Sequence, residues 1–162
     1  TLLDMSELQT VSRDETIAVD ALVDEVLVDL EPLAQEKEIK LIGNCNDTTM
    51  VGSDILIYRM VYNLVENAIK YNHFGGQVTV TAYRKGKNIC LSVEDTGSGI
   101  PAELKERIFE PFFRVDKSRS RQLGGVGLGL ALVREIVRVH DGRITVQSSP
   151  SGGTIFEVVF TQ

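Results

Sequence analysis

The fold class is decided by a strand-turn-strand stretch, residues 78–93, which read VTVTAYRKGKNICLSV. Apolar and polar residues alternate through residues 78–82 and again through residues 89–93, which is the period-2 pattern of half-buried strands. The two runs are joined through residues 85–87, Lys-Gly-Lys, a link with the glycine that a tight turn favours. This stretch therefore predicts an antiparallel β-hairpin.

Further elements are predicted on either side of the hairpin. Apolar residues recur with the 3.6-residue period of an amphipathic helix over residues 20–34, 53–72 and 129–140. Asp20 is the predicted N-cap of the first helix, because its carboxylate can accept from the amides of the first turn. Alternating patterns predict two closing strands, over residues 144–148 and 154–161.

These elements together predict the fold class. Adjacent strands with short turns, interspersed with helices, are typical of an α+β two-layer sandwich. We expect a mixed sheet of about five strands, covered on one face by about three helices. Residues 96–123 fit neither type of element, and an irregular segment of about 28 residues in a compact domain is usually a functional lid or disordered.

The composition excludes several classes of protein. The chain has 162 residues with 23 acidic and 17 basic side chains, and its net charge of −6 argues against a nucleic-acid partner held through phosphates. No apolar run approaches the roughly 18 residues of a membrane span, so we expect no direct membrane contact by this chain. Cys45 and Cys90 lack the spacing of a disulfide or zinc motif, which favours a reducing, cytoplasmic compartment.

Nothing in the sequence divides it into two halves, and one domain is expected. The first dozen residues, with Leu2, Leu3 and Leu8, have the pattern of the last turns of a helix. Because the first residue is Thr1 and not Met, we expect the chain to be a piece of a longer protein. The predicted division is a helical stub over residues 1–12 and a single domain over residues 13–162.

Four clusters of residues in this framework could carry chemistry. The first lies on the second predicted helix, where Asn63, Asn67 and Lys70 follow the i, i+4, i+7 spacing and share one face. Carboxamide oxygens suit a hard cation and an ammonium suits phosphate, an arrangement that fits Mg²⁺ with a nucleoside triphosphate. The alternative is a solvated polar face, and this interpretation is favoured when the cluster is considered by itself.

The second cluster is residues 95–100, DTGSGI, which directly follow a predicted strand. Asp95 places a carboxylate at the strand end, where it can accept from an exocyclic amine, and the glycines allow close approach of the backbone. Residues 97–102 also match the dinucleotide fingerprint G-x-G-x-x-A, but the crossover to a parallel strand is missing and we reject that interpretation. A glycine-rich turn would explain Gly97 and Gly99 but not their pairing with Asp95.

The third cluster is residues 109–116, FEPFFRVD, which are followed by Lys117, Arg119 and Arg121. Three of the six phenylalanines of the chain lie in this cluster. Aromatic side chains in an irregular segment either cap the core or dock a partner, and the two alternatives are evenly matched here.

The fourth cluster is residues 124–130, GGVGLGL, which lead into the third predicted helix. Flexible backbone amides at a helix N-terminus form an anion site. The chain contains no G-x-x-x-x-G-K-[ST] P-loop and no V-A-I-K or H-R-D motif of eukaryotic-type kinases. The alternative is a hinge at the entry to the helix.

In this order and spacing, the four clusters resemble the catalytic ATP-binding domain of bacterial sensor histidine kinases. The resemblance covers essentially residues 13–162, and that family belongs to a superfamily with gyrase, heat-shock chaperones and mismatch-repair ATPases. Residues 63–71 resemble its N box, 95–100 its first glycine box, 109–116 its F box and 125–130 its second glycine box. One departure is Asn72, where the family usually has Ser or Thr.

The resemblance implies a role for each matching residue. Asn67, with Asn63 nearby, would hold Mg²⁺, and Lys70 would reach the phosphates of ATP. Tyr71 would stack near the base, and Asp95 would accept from the adenine amino group. The lid, over residues 110–124, would bring Arg114 and Arg119 to the β- and γ-phosphates. The remaining implied nucleotide-binding residues are Gly97, Gly99, Ile100, Gly125, Gly127, Leu128 and Gly129.

The resemblance also favours a kinase over a hydrolase. The ATPases of the superfamily carry a water-activating Glu four residues before the metal-binding Asn, and this chain has Asn63 there. Glu66 points about 100° away around the helix and cannot replace it directly. Phosphoryl transfer mainly needs positioning and charge neutralisation, which Lys70, Mg²⁺ and the lid arginines Arg114 and Arg119 could supply.

The acceptor of the phosphoryl group is missing from this chain. Sensor kinases phosphorylate a His on a separate dimeric helical domain, and neither His73 nor His140 lies in a similar motif. Residues 1–12 would be the tail of the second helix of that domain, in a homodimeric, membrane-anchored protein that passes the phosphoryl group to a response regulator. Alternatives are a nucleotide-dependent interaction module and a related protein-serine kinase.

Overall fold

The structure is a computed structural model that describes residues 5–111 and 129–162. The described residues contain three α-helices, α1 (Val19–Glu36), α2 (Asp54–Lys70) and α3 (Gly129–Val139). They also contain seven strands, β1 (Glu15–Ala18), β2 (Lys40–Cys45), β3 (Thr49–Gly52), β4 (Gln77–Lys85), β5 (Asn88–Asp95), β6 (Arg143–Ser148) and β7 (Thr154–Thr161). Short 3-10 helices lie at Met5–Thr10, Ala102–Leu104 and Arg107–Phe109.

The predicted hairpin is the centre of a five-stranded sheet with the order β2-β4-β5-β7-β6. Strands β4 and β5 pair antiparallel, with Val80 opposite Val93. The pairs β5–β7 and β6–β7 are also antiparallel, whereas β2 pairs parallel to β4. The predictions of a hairpin and of a mixed five-stranded sheet are confirmed.

The three helices cover the sheet and enclose the core, as the predicted two-layer sandwich requires. α2 packs against both α1 and α3. Its apolar stripe, which includes Val61 and Leu64, is fully buried, as are Val80, Val93 and Val158 on the sheet. Burial of each large apolar side chain contributes about 1.5–3 kcal/mol, so this layer contact anchors the helix that carries the first cluster.

The starts of α1 and α2 are stabilised in different ways, and the predicted cap of α1 is wrong. Ser53 caps α2, and its hydroxyl accepts from the amide of Leu56 at 3.3 Å. The N-cap of α1 is Ala18 and not the predicted Asp20, which lies in the first turn. The reason is that β1 leads directly into α1, and the amide of Val19 donates to the carbonyl of Thr48 at 2.9 Å. A neighbouring backbone carbonyl thus satisfies an amide at the helix start.

Three strands were not predicted from the sequence. β1 and β3 form a separate two-stranded antiparallel sheet, and β2 lies at the edge of the main sheet. β1 and β3 have four residues each, and only Ile17 in β1 is buried, so the alternation is too short to recognise. At the N-terminus, Met5–Thr10 forms a 3-10 helix, and Leu8 is buried in the core.

Part of the long irregular segment packs on the core. Ile108 and Phe109 are buried, and the ring of Phe109 meets that of Phe156 edge to face, with centroids 6.2 Å apart. The core-capping alternative is therefore correct for Phe109. The remaining aromatic residues of the third cluster, Phe112 and Phe113, lie outside the described residues.

Candidate nucleotide-binding site

The first cluster forms a half-buried polar stripe along α2. Asn63, Asn67 and Lys70 are all partly exposed, next to the fully buried apolar stripe of the same helix. Lys70 Nζ lies 3.9 Å from Glu66 Oε1, and within residues 5–111 and 129–162 the two asparagine side chains make no hydrogen bond. Their amide oxygens are therefore available to a ligand.

The donor set near α2 suits a hard cation held by amides. In the described part of the chain, no group of three His, Cys, Asp or Glu side chains is arranged to hold a metal ion. A cation at this stripe would be bound by Asn63 and Asn67 together with oxygens of the nucleotide, since Mg²⁺ takes oxygen ligands and usually shares them with substrate phosphates. The residues present fit Mg²⁺ in this form.

Asp95 is a buried carboxylate with one occupied oxygen and one available oxygen. It lies at the end of β5 with 7% of its surface exposed. Oδ1 accepts from the amides of Gly97 at 2.8 Å and Thr154 at 3.3 Å, and none of the described groups donates to Oδ2. Burial raises the pKa of Asp95, while the hydrogen bonds from the two amides lower it. Oδ2 can therefore accept from an amine such as that of adenine.

Two glycines bring the ends of separate elements together. A Cβ at Gly97 would lie 2.6 Å from the carbonyl oxygen of Tyr71, and one at Gly99 would lie 2.6 Å from the carbonyl oxygen of Gly152. Gly99 also has φ +78°, which favours glycine. The end of α2, the loop after β5 and the turn before β7 thus meet around Asp95, and side chains at these glycines would separate them.

Several site predictions are placed by the structure and others are not. Ile100 is partly buried against the core, and Gly129 is the exposed first residue of α3. Arg114, Arg119, Gly125, Gly127 and Leu128 lie outside the described residues, as does the predicted lid beyond residue 111. Their roles remain predictions.

The turn before β7 contributes groups that the sequence analysis missed. Ser149 Oγ donates to the carbonyl oxygen of Asp95 at 3.4 Å and accepts from the amide of Gly153 at 2.9 Å. Thr154 is buried, and its amide binds Asp95 Oδ1. The sequence analysis gave Ser149 no role and assigned Thr154 only to a strand. Their proximity to Asp95 arises from the β5–β7 pairing, which has no local signal in the sequence.

Asn72 is also a structural part of the site. It is 1% exposed, its Nδ2 donates to the carbonyl of Gln77 at 3.1 Å, and its Oδ1 accepts from the amide of His73 at 2.7 Å. The hydroxyl of Thr96 donates to the same oxygen at 3.2 Å. Asn72 therefore ties the residues after α2 to β4 and to the first glycine box.

His140 is held by two hydrogen bonds and has a structural role. Nδ1 lies 2.8 Å from the carbonyl oxygen of Ile136, which makes it the protonated nitrogen, and Nε2 accepts from the amide of Ser53 at 3.0 Å. Burial lowers the pKa of this imidazole. His73 is exposed in the loop after α2.

Comparison with known proteins identifies the family of this chain. The family model of histidine kinase-, DNA gyrase B- and HSP90-like ATPases matches residues 52–162. The sensor-like histidine kinase SenX3 of Mycobacterium tuberculosis is 38% identical over 159 residues, which cover 96% of this chain and 39% of SenX3. The chain thus spans well under half the length of this relative. None of the helices in the described residues has the length and apolarity to span a membrane.

Solved structures show the same fold. The nucleotide-free catalytic domain of the histidine kinase ThkA superposes with a TM-score of 0.82 at 27% identity, over 93% of this chain and 96% of that one. ThkA in complex with the response regulator protein TrrA superposes with a TM-score of 0.77 at 26% identity, over 91% of this chain and 41% of that one. The chain therefore belongs to the histidine kinase-, DNA gyrase B- and HSP90-like ATPase family, as a catalytic domain of the sensor histidine kinase type.

Proposed function

We propose that this chain binds Mg-ATP and transfers the γ-phosphoryl group to a histidine on a separate dimerisation domain of the same protein. The observation that carries the proposal is the meeting of Asp95 with the end of α2. Because the backbone at Gly97 packs against the carbonyl of Tyr71 and its amide binds Asp95, the base acceptor lies beside the end of the helix that carries the polar stripe. A nucleotide is the ligand that presents an amine and phosphates together.

Asp95 selects adenine in this proposal. Its Oδ2 accepts from the exocyclic amine of adenine, while the amides of Gly97 and Thr154 hold Oδ1 in place. Guanine presents an oxygen where adenine presents the amine, so two acceptors would face each other. An unsatisfied buried polar group is penalised by about 1–3 kcal/mol, and by more for a charge. Tyr71 stacks near the base.

The phosphates lie along the polar stripe of α2. Asn67 and Asn63 hold Mg²⁺, which when bound neutralises phosphate charge as phosphoryl transfer requires. Lys70, whose Nζ lies 3.9 Å from Glu66 Oε1, contacts the phosphates. Arg114 and Arg119 of the lid complete the binding of the β- and γ-phosphates. Gly125, Gly127, Leu128 and Gly129, in the glycine-rich sequence that leads to α3, provide backbone amides for the phosphates.

The site favours transfer over hydrolysis. The residue one turn before Asn67 is Asn63, whose side chain is no base, and the nearest carboxylate on α2, that of Glu66, lies 3.9 Å from the ammonium of Lys70. Glu66 is the neighbour of Asn67 and points about 100° away from it around the helix, so it cannot replace the missing base directly. Bound ATP therefore persists until an acceptor histidine reaches it.

The acceptor and the further partners lie in other parts of the protein. Residues 1–12 are the end of the dimerisation and phosphoacceptor domain, and residues 13–162 are the catalytic domain. The full-length protein is a homodimer anchored at the membrane, with this domain in the cytoplasm, and it relays the phosphoryl group to a response regulator. The complex of ThkA with TrrA supports the last part of this proposal.

The experiment measures binding and transfer with matched variants. Isothermal titration of the chain with Mg-ATP should show one site, which Asn67→Ala abolishes and Asn44→Ala, an exposed control on β2, leaves unchanged. The full-length protein should form acid-labile phosphohistidine outside residues 13–162, and this labelling should depend on Asn67.

Two results would contradict the proposal. Stable phosphohistidine on the isolated chain would show that the acceptor lies within it. Nucleotide binding by the full-length protein with no phosphohistidine would instead favour the nucleotide-dependent interaction module, and labelling on serine of a partner would favour the protein-serine kinase.

A further inference from the structure

Lys37, the residue that follows α1, lies against the C-terminal end of α2. Its Nζ donates to the carbonyl oxygens of Ile69 at 3.2 Å, Lys70 at 3.0 Å and Asn72 at 2.8 Å. An ammonium has three N–H donors and no acceptor, and three carbonyls are the matching set. The side chain is half-buried, where water screens such contacts less than on the surface.

These carbonyls belong to the end of a helix, where they lack partners within the helix and carry the negative end of its dipole. The basic residue in the last turn of α2 is Lys70, but its ammonium lies near Glu66 on the polar stripe, at 3.9 Å. Lys37 lies outside α2 and therefore supplies the positive charge that the C-terminus of α2 favours.

The backbone around Lys37 holds the loop that follows α2. The amide of Gly75 donates to the carbonyl of Lys37 at 2.8 Å, and the amide of Lys40 donates to the carbonyl of Gly76 at 3.0 Å. The segment between α1 and β2 is thus bonded to both the last turn of α2 and the loop beyond it. A displacement of Lys37 would therefore also displace the last turn of α2 and the loop beyond it.

We propose that Lys37 is a positioning residue for nucleotide binding, and this inference rests on the function proposed above. By fixing the last turn of α2, it sets the positions from which Lys70 and Tyr71 meet ATP. The carbonyl of Tyr71 also packs against Gly97, whose amide holds Asp95 Oδ1. A loosened helix end therefore disturbs the phosphate contact and the base contact together.

The test compares Lys37→Met with Lys40→Met. Methionine keeps most of the length of the lysine stem and removes only the ammonium, and Lys40 is an exposed lysine on β2 whose side chain makes no contact of this kind in the described residues. Loss of a charged hydrogen-bonding group at a helix end should raise the dissociation constant of Mg-ATP about tenfold for Lys37→Met. The control variant should stay within about twofold.

A second readout does not depend on nucleotide. In Lys37→Met, hydrogen exchange of the amides of Tyr71 and Asn72 should become faster, because the turn that they close has lost its clamp. Exchange at Leu64, in the middle of α2, should not change. Lys37→Arg should recover only part of the affinity, since a planar guanidinium cannot direct three donors from one atom.

A double-variant cycle tests whether Lys37 acts through Lys70. Lys37→Met should weaken Mg-ATP binding less in a Lys70→Met background than in the unchanged chain, because coupled residues are not additive.

The outcomes separate this inference from the proposed function. If the unchanged chain binds Mg-ATP and Lys37→Met binds it within twofold, well below both melting temperatures, the positioning role is overturned. Full additivity with both Lys70→Met and Asp95→Asn would overturn it as well, because Lys37 would then act through neither the phosphate contact nor the base contact. Failure of the unchanged chain to bind Mg-ATP would refute the proposed function, and the positioning role with it.

Discussion

Asp95→Asn is the substitution that tests base recognition most directly, because it changes one atom and keeps the shape. The new Oδ1 can still accept from the amides of Gly97 and Thr154, which lie at 2.8 and 3.3 Å from the carboxylate. Where Oδ2 was an available acceptor, the amide now presents N–H donors to the adenine amine, which is itself a donor. The contact with the base is therefore lost while the contacts within the protein remain.

The magnitude follows from the type of bond that is lost. A hydrogen bond to a charged group contributes about 1.5–3 kcal/mol, and each 1.4 kcal/mol is a tenfold change in affinity. Asp95→Asn should thus weaken ATP binding about 10-fold to 150-fold. GTP should be affected less, because the oxygen of guanine can accept from the new amide. The preference for ATP over GTP should narrow.

The melting temperature of Asp95→Asn should rise or stay unchanged, although its affinity for ATP falls. Burial raises the pKa of Asp95, which means that the fold disfavours its charged form, so a neutral isostere should not lower the melting temperature at pH 7. Competition of ATP and GTP for a fluorescent nucleotide measures the affinities, with a thermal melt of each variant. Glu94→Gln, a half-exposed neighbour on β5, is the control. Equal affinity of Asp95→Asn and the unchanged chain for ATP would refute the role of Asp95.

Three further predictions follow from the same geometry. Asn67→Ala should abolish Mg²⁺-dependent binding in calorimetry while changing the free energy of unfolding by no more than about 0.5 kcal/mol, since the side chain lies on the polar stripe. Gly97→Ala should destabilise the domain by about 1–3 kcal/mol in urea unfolding, because the added Cβ would lie 2.6 Å from the carbonyl of Tyr71. Burial lowers the pKa of His140 in the folded state, so folding favours its neutral form. The free energy of unfolding should therefore be greatest above the unfolded pKa of about 6.5 and should fall as the pH drops below it. His140→Gln should show a smaller fall in melting temperature between pH 7 and pH 5.

The parts of the fold that could be predicted are those whose signal is local. The apolar stripe of α2 and the alternation of the β4–β5 hairpin each lie within a short run of consecutive residues, and both were confirmed. The prediction of Asp20 as the cap of α1 was wrong because the amide of Val19 donates to the carbonyl of Thr48, which lies beyond β2 in the sequence. β1 and β3 were not predicted because an alternation of apolar and polar residues over only four positions is too short to recognise.

The candidate site divides in the same way. Asn63, Asn67 and Asp95 could be chosen from spacing and residue type, because a helix face and a strand end are local features. The contacts of Lys37 and Thr154 could not, since they depend on how α1 meets α2 and how β5 meets β7. Such contacts carry no periodic signal, and a half-buried lysine at the end of a helix reads in the sequence as an exposed one.

Burial of Asp95 has two opposing effects, and the residues around it determine which one prevails. Exclusion of water makes the choice of base selective, because an unmatched base finds no solvent to satisfy it. The same exclusion raises the pKa of the carboxylate and disfavours the charge that makes the hydrogen bond strong. The amides of Gly97 and Thr154 counter this by stabilising the ionised form. Gly97 therefore has two roles. It lets the backbone pass close to Tyr71, and its amide stabilises the ionised form in which Asp95 accepts a hydrogen bond.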